Sequence, residues 1–328
     1  MRKRWGSTTT FILGALAALL LASCSSSAQA ASWPTRAVRF IIPLGPGAGV
    51  DIVARLFAEK LSATWGQPVV VENKAGGDAI VAINTMISAR DDHTLLFSPA
   101  SAFTGHPLLY QKMPYDPKAL VPIARVTSTI IAVAVPTALG INTLNEFVAK
   151  LKAEPGKLNF ASATGANDLL FQAWLKNEHL EMARVPYKDT VQAINDLAEN
   201  RVQAYIAAYS IMRPQVLAGK VKMLALTSAA PAPELPAIPP ATQVGYPELT
   251  FEGLIGLFGP REMTQSVRDV IAKDVLQVAA DPAIKERLGS VGQVLAAGNA
   301  ADFEAALAEQ HQTIVRIGKA LGVTLSVP

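Results

Sequence analysis

The sequence has few of the residues that build metal sites and nucleophilic active sites. Cys24 is the only cysteine among 328 residues, so the chain can form neither an internal disulfide nor a zinc site of paired cysteines. The four histidines, His93, His106, His179 and His311, lack metal-ligand spacing, and we expect them at the surface or at helix ends. There is no G-x-S-x-G nucleophile elbow, and no lysine follows the first glycine-rich turn, as a P-loop requires. We therefore expect no metal, no cofactor and no catalytic activity.

Beyond the N-terminus, the sequence has no uncharged apolar run of about 18 residues, so we expect no transmembrane helix after processing. The N-terminal segment has the pattern of a secretion signal. Arg2, Lys3 and Arg4 form a basic start, and the apolar stretch 11–22 that follows is too short to span a bilayer. We therefore predict that residues 1–32 are a signal peptide and tether, and that the protein is exported to the periplasm.

Two cleavage sites compete within this segment. Leu21-Ala22-Ser23-Cys24 resembles a lipobox, in which Cys24 becomes the lipidated first residue. Ala28-Gln29-Ala30 fits the small-x-small rule of ordinary signal peptidase. The position of the lone cysteine directly after the apolar stretch favours lipidation, which would anchor the protein to the membrane facing the periplasm. Cleavage after Ala30 would instead release it, and both alternatives export the chain.

Neither sign of charge is in excess once the signal segment is removed. The chain has 29 basic and 26 acidic residues, and three of the basic residues lie at positions 2–4. No basic patch with interleaved aromatic residues is present, so we do not expect a nucleic-acid partner. The length and the 50% hydrophobic content suffice for one large or two medium domains.

The turn at residues 43–51 is the strongest local signal for function. An apolar run, Val38–Ile42, predicts a buried strand, and apolar residues at helical spacing follow the glycine-rich turn. The first N–H groups of such a helix are unpaired and its dipole adds about half a positive charge, so the turn can hold an anion. The alternative is that the glycines only close the turn and Asp51 only caps the helix.

A second strand–turn–helix unit follows in the middle of the chain. Residues 158–161 predict a strand, Ser162–Asp168 a turn of small residues, and Leu169–Glu178 a helix. Strands alternate with helices on both sides of it, which indicates two α/β lobes with parallel strands. We expect Pro122–Pro136 to be one strand crossing between the lobes and Leu249–Phe258 to be the return. Thr143 and Asp281 are expected to cap helices.

Several segments, in this order along the chain, resemble the substrate-binding receptors of tripartite tricarboxylate transporters, the Bug family. They are WPTRAVRFIIPLGPGAGVDIVARLFAEKL, GQPVVVENKAGG, TLLFSPAS, LYQKMPYDP, PGKLNFASATG, VPYK, LAGKVKMLALTS and GLFGP. The resemblance implies an α/β periplasmic binding protein of type II, with two lobes that are each a mixed sheet flanked by helices. Lobe 1 would comprise residues 33–135 and 253–328, and lobe 2 residues 136–252.

The resemblance also implies the function of the cleft between the lobes. A monomeric receptor would bind a small organic acid or amino acid there and deliver it to integral-membrane permease subunits. Backbone amides and water would contact the ligand at the two turns. The predicted ligand-binding residues are Leu44, Gly45, Gly47, Ala48, Gly49, Asp51, Ser101, Ser162, Thr164, Gly165, Ala166, Asn167, Asp168 and Tyr187.

The sequence departs from the family pattern at the predicted site. Val50 replaces a hydroxyl residue, Ala207-Ala208 replaces an acidic pair, and Asp168 adds a carboxylate. We therefore expect a ligand with at most one carboxylate that turns a neutral or cationic group toward Asp168. In the alternative, Asp168 only caps its helix and neutralises the dipole. Tyr187 either reaches the cleft or ends a strand in a supporting role.

Two other functions fit parts of the sequence. Gly45-x-Gly47-x-Gly49, with Glu72 at the end of the next strand, imitates the fingerprint of a dinucleotide-binding enzyme, but its spacing is G-x-G-x-G rather than G-x-G-x-x-G. A structural surface lipoprotein without a ligand also agrees with an exported chain. The sequence does not name the ligand.

Overall fold

The computed structural model describes residues 33–162, 165–187 and 189–323, without the side chains of Ala102, Phe103 and Leu109. The chain divides into two units, Met1–Thr35 and Arg36–Pro328, and every helix and strand named below lies in the second. The predicted lipidation site at Cys24, the cleavage site after Ala30 and the predicted ligand-binding residue Thr164 lie outside the described residues.

The described residues contain eleven strands and eleven α-helices. The strands are β1 (Val38–Ile42), β2 (Val69–Asn73), β3 (Thr94–Pro99), β4 (Leu120–Thr129), β5 (Ile131–Pro136), β6 (Asn159–Ser162), β7 (Ala183–Pro186), β8 (Ala204–Ala208), β9 (Val221–Leu226), β10 (Gly253–Pro260) and β11 (Gln293–Gly298). The helices are α1 (Gly49–Trp65), α2 (Ile80–Ala89), α3 (Ser101–Thr104), α4 (His106–Leu109), α5 (Leu144–Ala153), α6 (Ala166–Asn177), α7 (Thr190–Ala198), α8 (Tyr209–Leu217), α9 (Gln265–Ala279), α10 (Pro282–Gly289) and α11 (Ala300–Leu321).

The strands form two mixed sheets, which agrees with the predicted fold class. The first sheet has the order β11-β4-β10-β3-β1-β2, and the second has the order β7-β6-β8-β5-β9. In the first sheet β1 pairs in parallel with β2 and β3, while β10 runs antiparallel to β3 and β4. In the second, β6 pairs in parallel with β7 and β8, while β5 runs antiparallel to β8 and β9. The parallel strands of each sheet therefore end at one edge, where their turns gather.

Each sheet has an aromatic core beneath its helices. In the first sheet the ring centroids of Phe40 and Phe97 are 5.5 Å apart, and both rings are fully buried. In the second, Phe160, Phe171 and Trp174 stack in sequence with centroid separations of 5.3 Å at each step. Because a chain of this size buries a large apolar area, these cores can stabilise the fold without disulfides.

The chain changes sheets at Ile130, which corrects the prediction of a single crossing strand. Ile130 N–H donates to Gly292 O beside β11 in the first sheet, and Ile130 O accepts from Tyr209 N–H beside β8 in the second. The predicted single strand 122–136 is therefore two strands, β4 and β5, one in each sheet. The change of sheets comes before residue 135, after which the sequence analysis placed the lobe boundary. The apolar run alone could not show this, because it does not reveal where the hydrogen-bond partners of the strand change.

The helix α11 connects the two halves of the fold. Near its start, the Phe303 ring packs on Phe258 of β10, with centroids 4.9 Å apart. Toward its end, Ile314 and Ile317 lie in the hydrophobic core of the second sheet. The last turns of α11 thus pack with the second sheet, whereas the sequence assigned all of residues 253–328 to the first lobe.

Two expectations about individual residues have clear outcomes. Thr143 and Asp281 cap α5 and α10 through their side chains, as predicted. His93 is only 4% exposed and lies just before β3, so the expectation of a surface or helix-end position was wrong for this residue. In the described part of the chain, no helix has both the length and the apolar composition needed to cross a membrane.

Candidate functional site

Four turns at the carboxyl ends of parallel strands define the candidate site. In the first sheet, β1 and β3 lead into α1 and α3, and in the second sheet β6 and β8 lead into α6 and α8. Ligands of open α/β sheets bind at such edges, because the helix starts direct their free N–H groups there. The first three of these junctions hold most of the predicted site residues.

Close contacts bring the two edges together. A Cβ atom placed on Gly49, at the start of α1, would lie 2.8 Å from Gln293 Nε2 and 3.5 Å from Ser210 Oγ in α8. A Cβ atom on Gly105 would lie 3.8 Å from the Ala166 Cβ at the start of α6. The helix starts of the two sheets therefore face each other across a narrow space.

The helices that begin at this space lack side-chain caps. The N-cap residues of α1, α6 and α8 are Ala48, Gly165 and Ala208, and none of these three residues makes a side-chain cap hydrogen bond. By contrast, the N-cap side chains of five other helices accept backbone N–H groups; they are Thr143, Asp189, Thr264, Asp281 and Asn299. Helix α2, which follows β2 at the same edge, is also uncapped, at Ala79. Uncapped starts leave N–H donors available to an anionic ligand.

Asp51 holds the first turn in shape. Its carboxylate is 2% exposed and accepts from Gly47 N–H (2.9 Å), Arg55 Nε (3.1 Å) and Asn73 Nδ2 (2.9 Å). Asn73 Nδ2 also donates to Leu44 O at 2.8 Å. Burial would raise the pKa of Asp51, but these hydrogen bonds outweigh it and hold the pKa below the usual value. The Asp51 carboxylate therefore uses its hydrogen-bonding capacity within the turn, and Arg55 supplies the neighbouring positive charge.

The positions of the first turn differ in whether they need glycine and in how exposed they are. Gly47 adopts φ +84°, a conformation that favours glycine, and has open space around its Cα. Gly45 has open space as well, whereas Gly49 is needed for the close approach of Gln293 and Ser210. Leu44 is 44% exposed, and Ala48 is partly exposed.

The second turn is shorter than predicted. Helix α6 begins at Ala166 rather than Leu169, after Gly165 with φ +116°. Ala166, Asn167 and Asp168 therefore belong to the first helical turn. Ser162 is buried at the end of β6, and its Oγ accepts from Arg184 Nε at 2.7 Å.

Asp168 does not cap its helix. One carboxylate oxygen, Oδ2, accepts from Gln172 Nε2 at 2.8 Å and from Arg184 Nη2 at 3.3 Å, while Oδ1 is buried and has no close hydrogen bond to a described residue. Burial raises the pKa of Asp168 and outweighs the opposing effects of Ser162 and Arg184. Asp168 thus links α6 to the edge strand β7. The alternative in which it caps its helix is wrong, although its carboxylate does lie in the first turn of α6.

The remaining predicted residues lie at the ends of other elements. The Tyr187 hydroxyl donates to Asp196 Oδ2 at 2.8 Å, and burial together with this carboxylate raises the Tyr187 pKa to about 12. Its backbone N–H donates to Ser162 O, which ties it to the second turn. Ser101 is the partly exposed first residue of α3.

Comparison with known proteins decides the family. The model of the tripartite tricarboxylate transporter family receptor matches residues 53–323. The chain belongs to this receptor family. It is 30% identical over 291 residues to the "UPF0065 protein in tcbD-tcbE intergenic region" of Pseudomonas sp. (strain P51), with 86% of each chain covered.

Solved structures of similar fold agree. The periplasmic binding protein BugD superposes with a TM-score of 0.75 at 27% identity, covering 89% of this chain and 99% of BugD. The protein described as "R. palustris Rpa4515 with adipate" superposes with a TM-score of 0.79 at 23% identity, covering 89% and 99%. The predicted type II periplasmic binding protein fold is confirmed.

Sequence reasoning missed two residues at the receptor's cleft. Ser210 is the second residue of α8. Gln293 is buried at the start of β11, where its Oε1 accepts from Thr127 Oγ1 and its Nε2 donates to Thr129 Oγ1. The signal for Ser210 was a third strand followed directly by a helix. It was overlooked because Ala207-Ala208 was interpreted only as the replacement of an acidic pair.

Proposed function

We propose that this protein is an exported solute receptor, without catalytic activity, that binds a small organic acid between its two lobes. In this proposal it delivers the acid to a membrane permease of the tripartite tricarboxylate transporter type. The observation that carries the proposal is that α1, α6 and α8, whose N-cap residues make no side-chain cap hydrogen bond, begin at the facing edges of the two sheets, where Gly49 approaches Ser210 of α8 and Gly105 approaches Ala166 of α6. Backbone N–H groups and helix dipoles there favour a carboxylate.

The structure does not support the two arguments by which the sequence analysis limited the ligand to at most one carboxylate. Val50 is buried in the core, so a hydroxyl at this position is not simply missing from the cleft. The charge of Asp168 is offset by Arg184 at 3.3 Å, so it does not stand free to select a cationic group. The Rpa4515 structure contains adipate, a dicarboxylate. We therefore propose an organic acid with one or two carboxylates, held by N–H donors of α1, α6 and α8 and by Ser210.

The competing functions have less support. Glu72, the residue that imitates the ribose ligand of dinucleotide-binding enzymes, is held by Arg39 through two hydrogen bonds of 2.6 and 2.9 Å. The structural lipoprotein without a ligand does not account for three uncapped helix starts at one place.

Binding and closure are tested with purified mature protein and adipate, malate, monocarboxylic acids and amino acids. A cognate acid at a hundred times its Kd should stabilise the protein by about 2.7 kcal/mol, and the melting temperature should rise. Small-angle scattering should then show a smaller radius of gyration, because the lobes close by a hinge motion. Absence of stabilisation by every acid, or turnover of a bound compound by the pure protein, would contradict the proposal.

We propose further that Cys24 is lipidated, so that the receptor is a monomer anchored to the membrane and facing the periplasm. Globomycin, which blocks lipoprotein processing, should then cause the precursor to accumulate. A mature N-terminus that begins after Ala30, found by mass spectrometry, would instead indicate a free periplasmic protein.

A further inference from the structure

A fully buried histidine lies next to the cleft, outside the turns that define the organic-acid site. His106 is the first residue of α4 and has no exposed surface. The preceding residue, Gly105, approaches the second sheet, since a Cβ atom placed on it would lie 3.8 Å from the Ala166 Cβ. The Tyr110 and Tyr115 rings stand edge-on to the imidazole, with centroids at 5.4 and 5.6 Å. His106 therefore supports the point at which the first lobe meets the second.

The partners of the imidazole determine its tautomer. Nε2 lies 2.9 Å from Asp78 O, and Nδ1 lies 2.8 Å from the Tyr115 hydroxyl. Because a carbonyl oxygen can only accept, Nε2 carries the proton and Nδ1 accepts from Tyr115. Burial lowers the pKa of His106 and outweighs the Asp78 carboxylate, which lies 3.7 Å from Nε2 and raises it. The neutral ring thus makes one hydrogen bond with each nitrogen.

The Asp78 carbonyl belongs to a turn with an unfavourable backbone. Four residues in succession have positive φ: Gly76 (+117°), Gly77 (+56°), Asp78 (+53°) and Ala79 (+70°). The last two are not glycine, and the left-handed conformation is unfavourable for residues with a Cβ atom. Such a backbone persists only where its surroundings hold it. The hydrogen bond from His106 supplies such a constraint from a segment 28 residues further along the chain.

This turn is also connected to the predicted ligand-binding residues. It follows β2, whose last residue, Asn73, donates to Leu44 O and to Asp51 Oδ1 in the first site turn. On its other side, Ala79 packs in one hydrophobic cluster with Ala100, the residue before α3. The turn is therefore tied at one end to the first site turn and at the other to the start of α3. A change in its backbone would disturb both.

We propose that His106 is a positioning residue of the organic-acid site, an inference that rests on the proposed receptor function. Its neutral ring clamps the turn Gly76–Ala79 to α4 and so keeps the site turns of the first lobe in their binding geometry. Loss of the Nε2 donor frees this turn to leave the left-handed conformation, and the organic acid then binds more weakly.

Two substitutions separate the donor from the ring. His106→Gln keeps an amide N–H close to the position of Nε2, whereas His106→Phe keeps an aromatic ring and loses both hydrogen bonds. In titration calorimetry with adipate, His106→Phe should bind at least about tenfold more weakly than the wild type, and His106→Gln should stay within about threefold of it. Val38→Ala is the control for lost stability alone. It removes buried carbons at the amino end of β1, and adipate affinity should not change.

Measurements without ligand test the clamp itself. Hydrogen exchange of residues 74–80, followed by mass spectrometry, should be at least about tenfold faster in His106→Phe and close to the wild-type rate in His106→Gln. Long-range proton–nitrogen NMR should show His106 as the Nε2–H tautomer, with the signal assigned by its loss in His106→Gln. Should His106→Phe fail to fold, Tyr115→Phe takes its place. It removes the hydroxyl that selects the tautomer and should accelerate the same exchange by about threefold.

The two kinds of measurement keep the clamp distinct from the receptor function. If no organic acid binds the wild type, the receptor function fails, and the exchange rates alone decide whether His106 holds the turn. Three results overturn the proposal: unchanged exchange of residues 74–80 in the variants without the hydrogen bonds, an Nδ1–H tautomer in the wild type, or equal adipate affinity in the wild type and a folded His106→Phe protein.

Discussion

The two strand–turn–helix units place an aspartate at the same point with opposite consequences. Asp51 is the third residue of α1 and Asp168 is the third residue of α6, and both are at least nine-tenths buried. Yet the pKa of Asp51 is lowered and the pKa of Asp168 is raised. Position in the first helical turn favours a carboxylate in both cases, so the difference must come from the surroundings.

The number of donors explains the difference. Both oxygens of Asp51 are hydrogen-bonded, through a backbone N–H, an arginine and an asparagine from β2. Asp168 uses one oxygen for Gln172 and Arg184, and the other has no close hydrogen bond within the described part of the chain. A buried carboxylate keeps a low pKa only when hydrogen bonds and counter-charge outweigh the loss of hydration. The first unit is therefore a charged, rigid turn, and the second is held more loosely.

The largest expected effect comes from the first residue of each helix, Gly49 in α1 and Ala166 in α6. Gly49→Val should weaken organic-acid binding by at least about a hundredfold, because the added carbons collide with Gln293 of the same sheet and with Ser210 of the other sheet. Titration calorimetry measures the loss. Gly49→Ala, which copies the residue of the second unit, should cause a smaller loss. Unchanged affinity in a folded Gly49→Val protein would mean that this contact does not belong to the binding state.

Capping the uncapped start of α1 should separate stability from function. Ala48 has the extended conformation of an N-cap residue, so in Ala48→Asp the carboxylate can accept the first free N–H groups. Stability should rise by about 1 kcal/mol, while organic-acid binding falls by about tenfold or more. Ala48→Ser, an uncharged cap, serves as the control with a weaker effect on binding. Tighter binding in Ala48→Asp would show that these N–H groups do not hold the ligand.

Removing each aspartate charge compares the two units directly. Asp51→Asn should lower the free energy of unfolding by about 2 kcal/mol at pH 7, because charged hydrogen bonds from Arg55 and Gly47 are weakened. Asp168→Asn should change it by less than about 1 kcal/mol, since its charge is poorly compensated. Urea unfolding of both variants measures these differences. Equal losses would remove the proposed distinction between the turns.

The same variants should differ in their dependence on pH. The lowered pKa of Asp51 stabilises the folded state above the usual value of 3.8, and this contribution is lost as pH falls through the folded-state pKa. The raised pKa of Asp168 acts in the opposite sense, since stability falls as pH rises from 3.8 through its folded-state pKa. The free energy of unfolding, measured across this acidic range, should therefore rise less with pH in Asp51→Asn than in the wild type. In Asp168→Asn it should rise more with pH than in the wild type, because the opposing contribution of Asp168 is removed.

The smallest expected effect tests the backbone of the first turn. Gly47→Ala should destabilise the protein by about 1 kcal/mol, because alanine is disfavoured at φ +84°. Gly45→Ala is the matched control, since Gly45 has equally open surroundings without a positive φ. Thermal unfolding of the pair isolates the conformational cost, and equal melting temperatures would show that the turn relaxes.

Local sequence determined the two strand–turn–helix units and several helix starts. Thr143 and Asp281 could be recognised as caps because a cap needs only partners two or three residues away. The strands β1 and β6 and the helices after them could be recognised from apolar spacing, which reports burial within a few residues. The order of family segments added the type II fold, which the comparison confirmed.

Only the tertiary structure decided how these units meet and what their charges do. The change of sheets at Ile130, the end of α11 in the second core and the contact of Gly49 with Ser210 all join residues far apart in the chain. The opposite pKa shifts of Asp51 and Asp168 depend on Asn73 and Arg184, which come from neighbouring strands. Periodicity and capping act over one helical turn, whereas burial, hydrogen-bond partners and counter-charges are set by strand order, which no short pattern encodes.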